Sequence, residues 1–161
     1  MKQDRIFFLT TMSLLFLALG VLATIILPAL ESPEAPESAT RYTAEELRGK
    51  RIYQREGCWY CHTQQVRPTE VGIGTVYARG DIGPESRAVD YALDKPVLWG
   101  TQRQGPDLAH VAGRPYGGLK AWHVAHLVNP QALNKGTLMP AFGHLPEEEL
   151  RALAAYLVTL K

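Results

Sequence analysis

Cysteine is scarce in this chain: its 161 residues include only two, Cys58 and Cys61. With no second, distant pair, a four-cysteine zinc site and a disulfide framework are both excluded. A bridge between Cys58 and Cys61 themselves would close almost no loop and stabilise little. Charge of one sign is lacking too. Seventeen basic and 16 acidic side chains leave a formal net charge of +1, which points neither to nucleic acid nor to a strongly acidic partner. Alternating or β-branched runs are missing around Cys58, where a thioredoxin-type C-x-x-C needs a βαβ setting. Methionine is nearly as rare: besides Met1 there are only Met12 and Met139.

The two cysteines stand in Cys58-Trp59-Tyr60-Cys61-His62, the C-x-x-C-H of covalent haem attachment. Two thiols on one helical turn add to the two vinyl groups of one haem. The histidine that follows is then held under the iron as its proximal ligand. A zinc reading would instead join the cysteines to His123 and His126, with His62 turned away from Cys61. Met139 is the candidate second iron ligand. It lies in Thr137-Leu138-Met139-Pro140-Ala141-Phe142, where Pro140 biases it to an extended conformation. The bland alternative is a gap-filling core methionine. His/Met ligation raises the potential and fills both axial positions, which opposes gas binding or peroxide chemistry. His110, His123, His126 and His144 read as surface or satisfied-core histidines.

From Ile6 to Leu30 no charged residue appears. As a helix this segment spans roughly 37 Å, against about 30 Å for a bilayer core, so it crosses with some tilt. Lys2 and Arg5 precede it, while Glu31, Glu34 and Glu37 follow. The positive-inside rule then puts the N-terminus in the cytoplasm and the rest outside, on the periplasmic face of a bacterial inner membrane. The competing reading is a signal peptide cut near Ala18-Leu19-Gly20, but the apolar run is long for an h-region. Three segments follow: a membrane anchor over 1–30, a Pro/Glu-rich tether over 31–42, and a haem domain over 43–161.

Within that last segment Thr43-Ala44-Glu45-Glu46 reads as a capping box opening a helix toward Gly57. Gly49, Ile52 and Tyr53 share one face, with the glycine allowing close approach of another helix. Pro146 at the first helical position and Glu147 to Glu149 behind it open a terminal helix. Leu150, Leu153, Ala154, Leu157 and Leu160 repeat along it at helical spacing, and Lys161 closes it. A further helix is expected from Leu119 to before Asn129-Pro130, with Trp122 and His126 on one face. A short one is expected between Ser86 and Leu93. The fold class is all-α.

This order of parts resembles class I cytochrome c: a helix into C-x-x-C-H, then Gly105-Pro106-Asp107-Leu108, a Met-Pro loop and a terminal helix crossing the first. The resemblance implies that the Pro106 carbonyl accepts a hydrogen bond from the His62 ring, and that Leu108 packs on the haem edge.

Between His62 and Gly105 lie about 40 residues, a long connection for a compact domain. With Gly57-Cys58 through Arg67-Pro68, Trp99-Gly100-x-x-Arg103-x-Gly105-Pro106-Asp107-Leu108, His126-Leu127-x-Asn129-Pro130 and Met139-Pro140-Ala141, the chain resembles the monohaem cytochrome c subunit (subunit II) of cbb₃-type cytochrome c oxidase. Thr63 and Gln65 depart from the serine and methionine usual there. The resemblance implies one covalently bound haem c, and a relay of electrons to the catalytic haem–copper subunit beside other cytochrome c subunits, in aerobic respiration. One span without histidine provides no oxygen-reducing centre, so catalysis is expected in another chain. Arg67, Trp99 and Arg103 become candidates to hold the haem propionates. The anchored cytochrome c subunit of a nitric oxide reductase is the nearest rival. A haem-based sensor with an open sixth site comes from a different class, and a peroxidase would need a second haem.

Overall fold

The computed structural model describes residues 2–30, 39–68 and 83–161. The tether from Glu31 through Ser38, with the three glutamates used to orient the chain, lies outside the described residues. The chain divides into two compact units, Met1–Pro36 and Glu37–Lys161.

In the first unit, α1 (Lys2–Val21) continues through a π-helical stretch, Leu22–Ile26, into α2 (Leu27–Leu30). Gln3–Leu30, 28 residues, is long and apolar enough to cross a membrane. The π turn has a local cause. Pro28 lacks an N–H, and its ring would clash with the carbonyl of Thr24, so the helix widens there. The hydroxyls of Thr10, Thr11 and Thr24 donate to the carbonyls of Ile6, Phe7 and Gly20 at 2.7–2.9 Å. Each polar group is thereby satisfied within the helix, as an apolar surrounding requires.

The second unit is helical, with no strand among the described residues. Its α-helices are α3 (Ala44–Arg55), α4 (Lys120–Val128), α5 (Pro130–Leu133) and α6 (Glu147–Leu157). The capping box forms as read: Thr43 Oγ1 accepts from the Glu46 amide, and Glu46 Oε2 accepts from the Thr43 amide at 2.6 Å. Gly57, at φ +71°, ends the helical path in the left-handed region and turns the chain into Cys58. Helix α3 packs on α6 through Gly49, where a Cβ would stand 1.9 Å from the carbonyl oxygen of Ala152. Ile52 and Tyr53 are buried against Leu150, Leu153, Tyr156 and Leu157, with the Tyr53 and Tyr156 rings edge to face at 5.5 Å.

The element ends differ from the sequence reading in instructive ways. Pro146 is the N-cap of α6 rather than its first helical residue, and the helix stops at Leu157, short of Lys161. Thr159 explains the stop: its hydroxyl donates to the Tyr156 carbonyl at 2.7 Å and competes with helix continuation. Leu160 is nevertheless buried, and its carbonyl accepts from the Ala112 amide at 2.8 Å. Asn129-Pro130 does more than end α4. The Asn129 side chain accepts from the Ala132 amide at 3.1 Å and caps α5, which has Pro130 at its start. Between Ser86 and Leu93 the structure forms one 3₁₀ turn, Ala88–Tyr91.

Candidate functional site

Cys58–Tyr60 form a 3₁₀ turn, and the amides of Cys61 and His62 both return to the Cys58 carbonyl, at 3.2 and 3.0 Å. Two thiols and one imidazole therefore leave a single turn. Cys58 and Cys61 are not bridged to each other. Cys58 packs against the main core, and burial pushes its thiol up to about 12. That is opposite to the lowered value that makes a redox C-x-x-C reactive. The Cys61 sulfur lies 3.5 Å from Oε1 of Gln104.

Residues 99–108 are laced to residues 59–64 by backbone hydrogen bonds. Thr101 donates to Trp59, Gly105 to Cys61, Leu108 to Thr63, and Gln64 to Trp99, at 2.7–3.3 Å. This lacing brings two glycines against His62. At Gly105 a Cβ would fall 2.2 Å from Cε1 of the His62 ring; at Gly100, 2.2 Å from the His62 carbonyl oxygen. The ring donates through Nδ1 to the Pro106 carbonyl at 2.8 Å. That bond sets the tautomer: Nδ1 carries the proton and Nε2 offers a lone pair. Burial lowers the imidazole's affinity for a second proton, opposed by the Pro106 carbonyl and Asp107 and reinforced by Arg114. The group is a neutral nitrogen donor.

Behind this cradle sits Asp107, 1% exposed. Its Oδ2 accepts from the Thr63 hydroxyl at 2.5 Å and the Gln65 amide at 3.0 Å, while Oδ1 accepts from the Ala109 amide at 2.8 Å. Arg103 completes the knot. Nε donates to Thr63 Oγ1 at 2.6 Å, and an Nη donates to the Gln65 carbonyl at 2.6 Å and approaches Asp107 at 3.3 Å. The sequence reading placed Arg103 at a propionate. Its guanidinium turns inward, toward the Thr63 hydroxyl, the Gln65 carbonyl and the buried Asp107 carboxylate. Arg114 donates to the Asp107 carbonyl at 2.6 Å. Arg67 is exposed, and Trp99 is half exposed, with its ring edge-on to Tyr91 at 5.8 Å. Leu108 is buried beside Leu98 in the main core, where Cys58, Trp59 and Met139 also pack.

Met139 reaches that core from the loop before α6. Its sulfur lies 3.1 Å from Nε2 of His126, whose ring stacks on Trp122 at 4.9 Å and an interplanar angle of 6°. Burial lowers the affinity of His126 for a second proton, and His123 and His62 add to the effect. His126 Nδ1 is buried without a hydrogen-bond partner among the described residues. His126, which reads from the sequence as a surface or satisfied-core histidine, is here in contact with both Trp122 and Met139; the sequence signal for that placement is the Trp122–His126 spacing on one helical face. The other three behave as read. His123 is buried and donates to the Gly117 carbonyl at 2.7 Å, His110 meets the Pro84 carbonyl at 3.2 Å, and His144 meets Glu56 at 3.4 Å. The described residues assemble no group of three or more His, Cys, Asp or Glu side chains around a metal position.

The donor set fits a haem. Cys58 and the Met139 thioether pack against the main core that includes Leu98 and Leu108, and Cys61 and the neutral His62 imidazole, with Nε2 available, leave the same turn as Cys58. An all-helical domain of the class I cytochrome c type, in a chain that also holds a helix long enough to span a membrane, is the class these features define. Over residues 1–159 the chain matches the family described as cytochrome c oxidase, mono-heme subunit/FixO, and it belongs to that family. Membership implies one haem, a part in electron transport and a place among other oxidase subunits. No curated protein sequence matches the chain.

Proposed function

We propose that this chain is a membrane-anchored c-type cytochrome that passes electrons to the catalytic subunit of a cbb₃-type haem–copper oxidase. The observation that carries this reading is the His62 cradle. Gly105 and Pro106 leave a half-buried, neutral imidazole with only Nε2 to offer, in the same turn as the unbridged Cys58 and Cys61. In this reading Cys58 and Cys61 would hold the haem through thioether links, and His62 Nε2 and Met139 Sδ would bind its iron. The bound haem supplies a one-electron iron couple.

The protein's own residues set the conditions for that couple. His62 and Met139 are neutral donors. Leu98 and Leu108 are buried in the apolar core against which Cys58 and Met139 pack, and would give the haem an apolar wall. Pro106 fixes the His62 tautomer and makes the ring a stronger donor. Arg67 and Trp99 are assigned to the propionates, and Arg103 acts one step behind, holding Thr63 and Asp107 under the cradle. Residues 1–30 anchor the chain with its N-terminus in the cytoplasm. Residues 31–42 tether it, and 43–161 stand on the periplasmic side.

Purification of the tagged chain from membranes tests this. The expected preparation holds one haem per chain that survives acid-acetone extraction, and it carries the catalytic oxidase subunit. Met139→Ala should retain the covalent haem, lose the sulfur-to-ferric-iron band in the near infrared, and slow reduction of the catalytic subunit. Extractable haem, or a reduced wild-type protein that binds carbon monoxide at this iron, would overturn the reading.

A further inference from the structure

We propose that His126 is a positioning residue for Met139: its Nε2–H donates a hydrogen bond to the thioether sulfur and thereby aims the sulfur and tunes it. The proposal rests on the ligand role given to Met139 above.

The contact itself assigns the proton. A thioether sulfur has no hydrogen to give, so across the 3.1 Å gap the nitrogen must be the donor. The opposite nitrogen, Nδ1, is buried and has no partner among the described residues. A proton on Nδ1 would leave an N–H bare in the protein and leave two acceptors, Nε2 and sulfur, facing each other. A proton on Nε2 satisfies the one pairing on offer, so His126 is the Nε2–H tautomer.

The ring is held in place for this task. Trp122 lies one turn earlier on α4, and its indole is nearly parallel to the imidazole, 4.9 Å away. The Met139 loop is tied to the same helix, since the Phe142 amide donates to the Leu127 carbonyl at 2.8 Å, one residue past His126. Leu127 and Phe142 are both buried. Donor and acceptor therefore belong to two segments fixed to each other on either side of the bond.

A sulfur that accepts one hydrogen bond keeps its second lone pair, so the bond leaves a donor for a metal and restricts where it points. Donation also draws electron density from the sulfur. A poorer sulfur donor stabilises ferric iron less than ferrous iron, so the bond raises the reduction potential relative to a protein without it.

The test uses the full-length, haem-loaded chain in its complex. His126→Phe keeps a flat ring against Trp122 and removes the donor; His126→Gln restores an N–H. Redox titration of the haem c absorption should place His126→Phe below wild type, with His126→Gln recovering most of the shift. Both should retain the near-infrared sulfur-to-iron band, which shows Met139 still bound. Nitrogen-15 NMR of the wild-type protein should report the Nε2–H tautomer for His126. An unchanged potential in His126→Phe with the band intact would overturn the proposal, as would a Gln variant no better than the Phe variant. An Nδ1–H tautomer in wild type would do so without any variant. A wild-type protein lacking the band would instead sink the ligand role of Met139 itself, so the two failures are distinguishable.

Discussion

The imidazole of His62 occupies the space in which a side chain at residue 105 would stand; a Cβ on Gly105 would lie 2.2 Å from Cε1 and 2.7 Å from Nδ1. Gly105 is not among the glycines at positive φ, so its backbone would accept alanine. The three atoms nearest that Cβ all belong to the ring. Gly105→Ala should push His62 off the Pro106 carbonyl, losing a hydrogen bond worth about 1 kcal/mol and adding overpacking of about 1–3 kcal/mol. The expected protein keeps its covalent haem but shows a high-spin fraction in absorption and electron paramagnetic resonance. A wild-type spectrum from this variant would contradict the cradle.

Gly49 poses a contest between two effects of opposite sign. Replacing a mid-helix glycine with alanine favours the helix by about 1 kcal/mol. At this crossing, however, the added Cβ would meet the Ala152 oxygen at 1.9 Å and Tyr156 Cβ at 2.8 Å. Backbone cannot step aside as a flexible side chain does, so overpacking of about 3 kcal/mol wins. Gly49→Ala should therefore lose about 2 kcal/mol net. A lowered melting temperature of the detergent-solubilised chain checks this; a raised one would show that the helices separate freely.

Which parts of this molecule could be read from its sequence follows from how far apart the interacting groups lie. The capping box at Thr43 and Glu46 is a four-residue code, and the turn from Cys58 to His62 is another, so both were legible. The Pro106 carbonyl on His62 was expected from the resemblance and is found at 2.8 Å. The inward turn of Arg103 was not legible. It depends on Thr63, some 40 positions earlier, being brought beside Asp107. His126 escaped for the same reason, because its partner Met139 sits in another loop. The early end of α6 at Leu157 came from a Thr159 hydroxyl that periodicity does not register.

Asp107 gathers its partners at a single buried carboxylate, and removing it unsettles all of them. Asp107→Ala takes this acceptor from the amides of Gln65 and Ala109 and from the Thr63 hydroxyl, and removes the buried counter-charge of the Arg103 guanidinium, which keeps Thr63 Oγ1 and the Gln65 carbonyl. Breaking a buried ion pair from one side costs about 3–5 kcal/mol. The expected variant melts well below wild type and matures with less haem, because the knot sits directly behind the His62 cradle. Asp107→Asn should recover part of the loss, since its amide oxygen still accepts a backbone N–H. Thermal unfolding compares the three proteins, and an alanine variant as stable as wild type would show that the knot is dispensable.

His123 links burial to acid sensitivity. It is 2% exposed and donates to the Gly117 carbonyl, and burial lowers its affinity for a second proton below the ordinary value of 6.5, with the carbonyl opposing. In the unfolded chain the ring titrates near that ordinary value, so below it the unfolded state binds the proton first. The sign follows. Stability is fully present above pH 6.5, falls as pH drops below it, and levels off once pH passes the lowered folded value. His123→Gln keeps a donor for Gly117 and removes the titration. Melting temperatures taken from pH 7.5 down to about 5 should therefore fall less steeply in the variant than in wild type. Parallel slopes in the two proteins would mean that His123 is as easily protonated inside the fold as outside it, and the burial argument would fail.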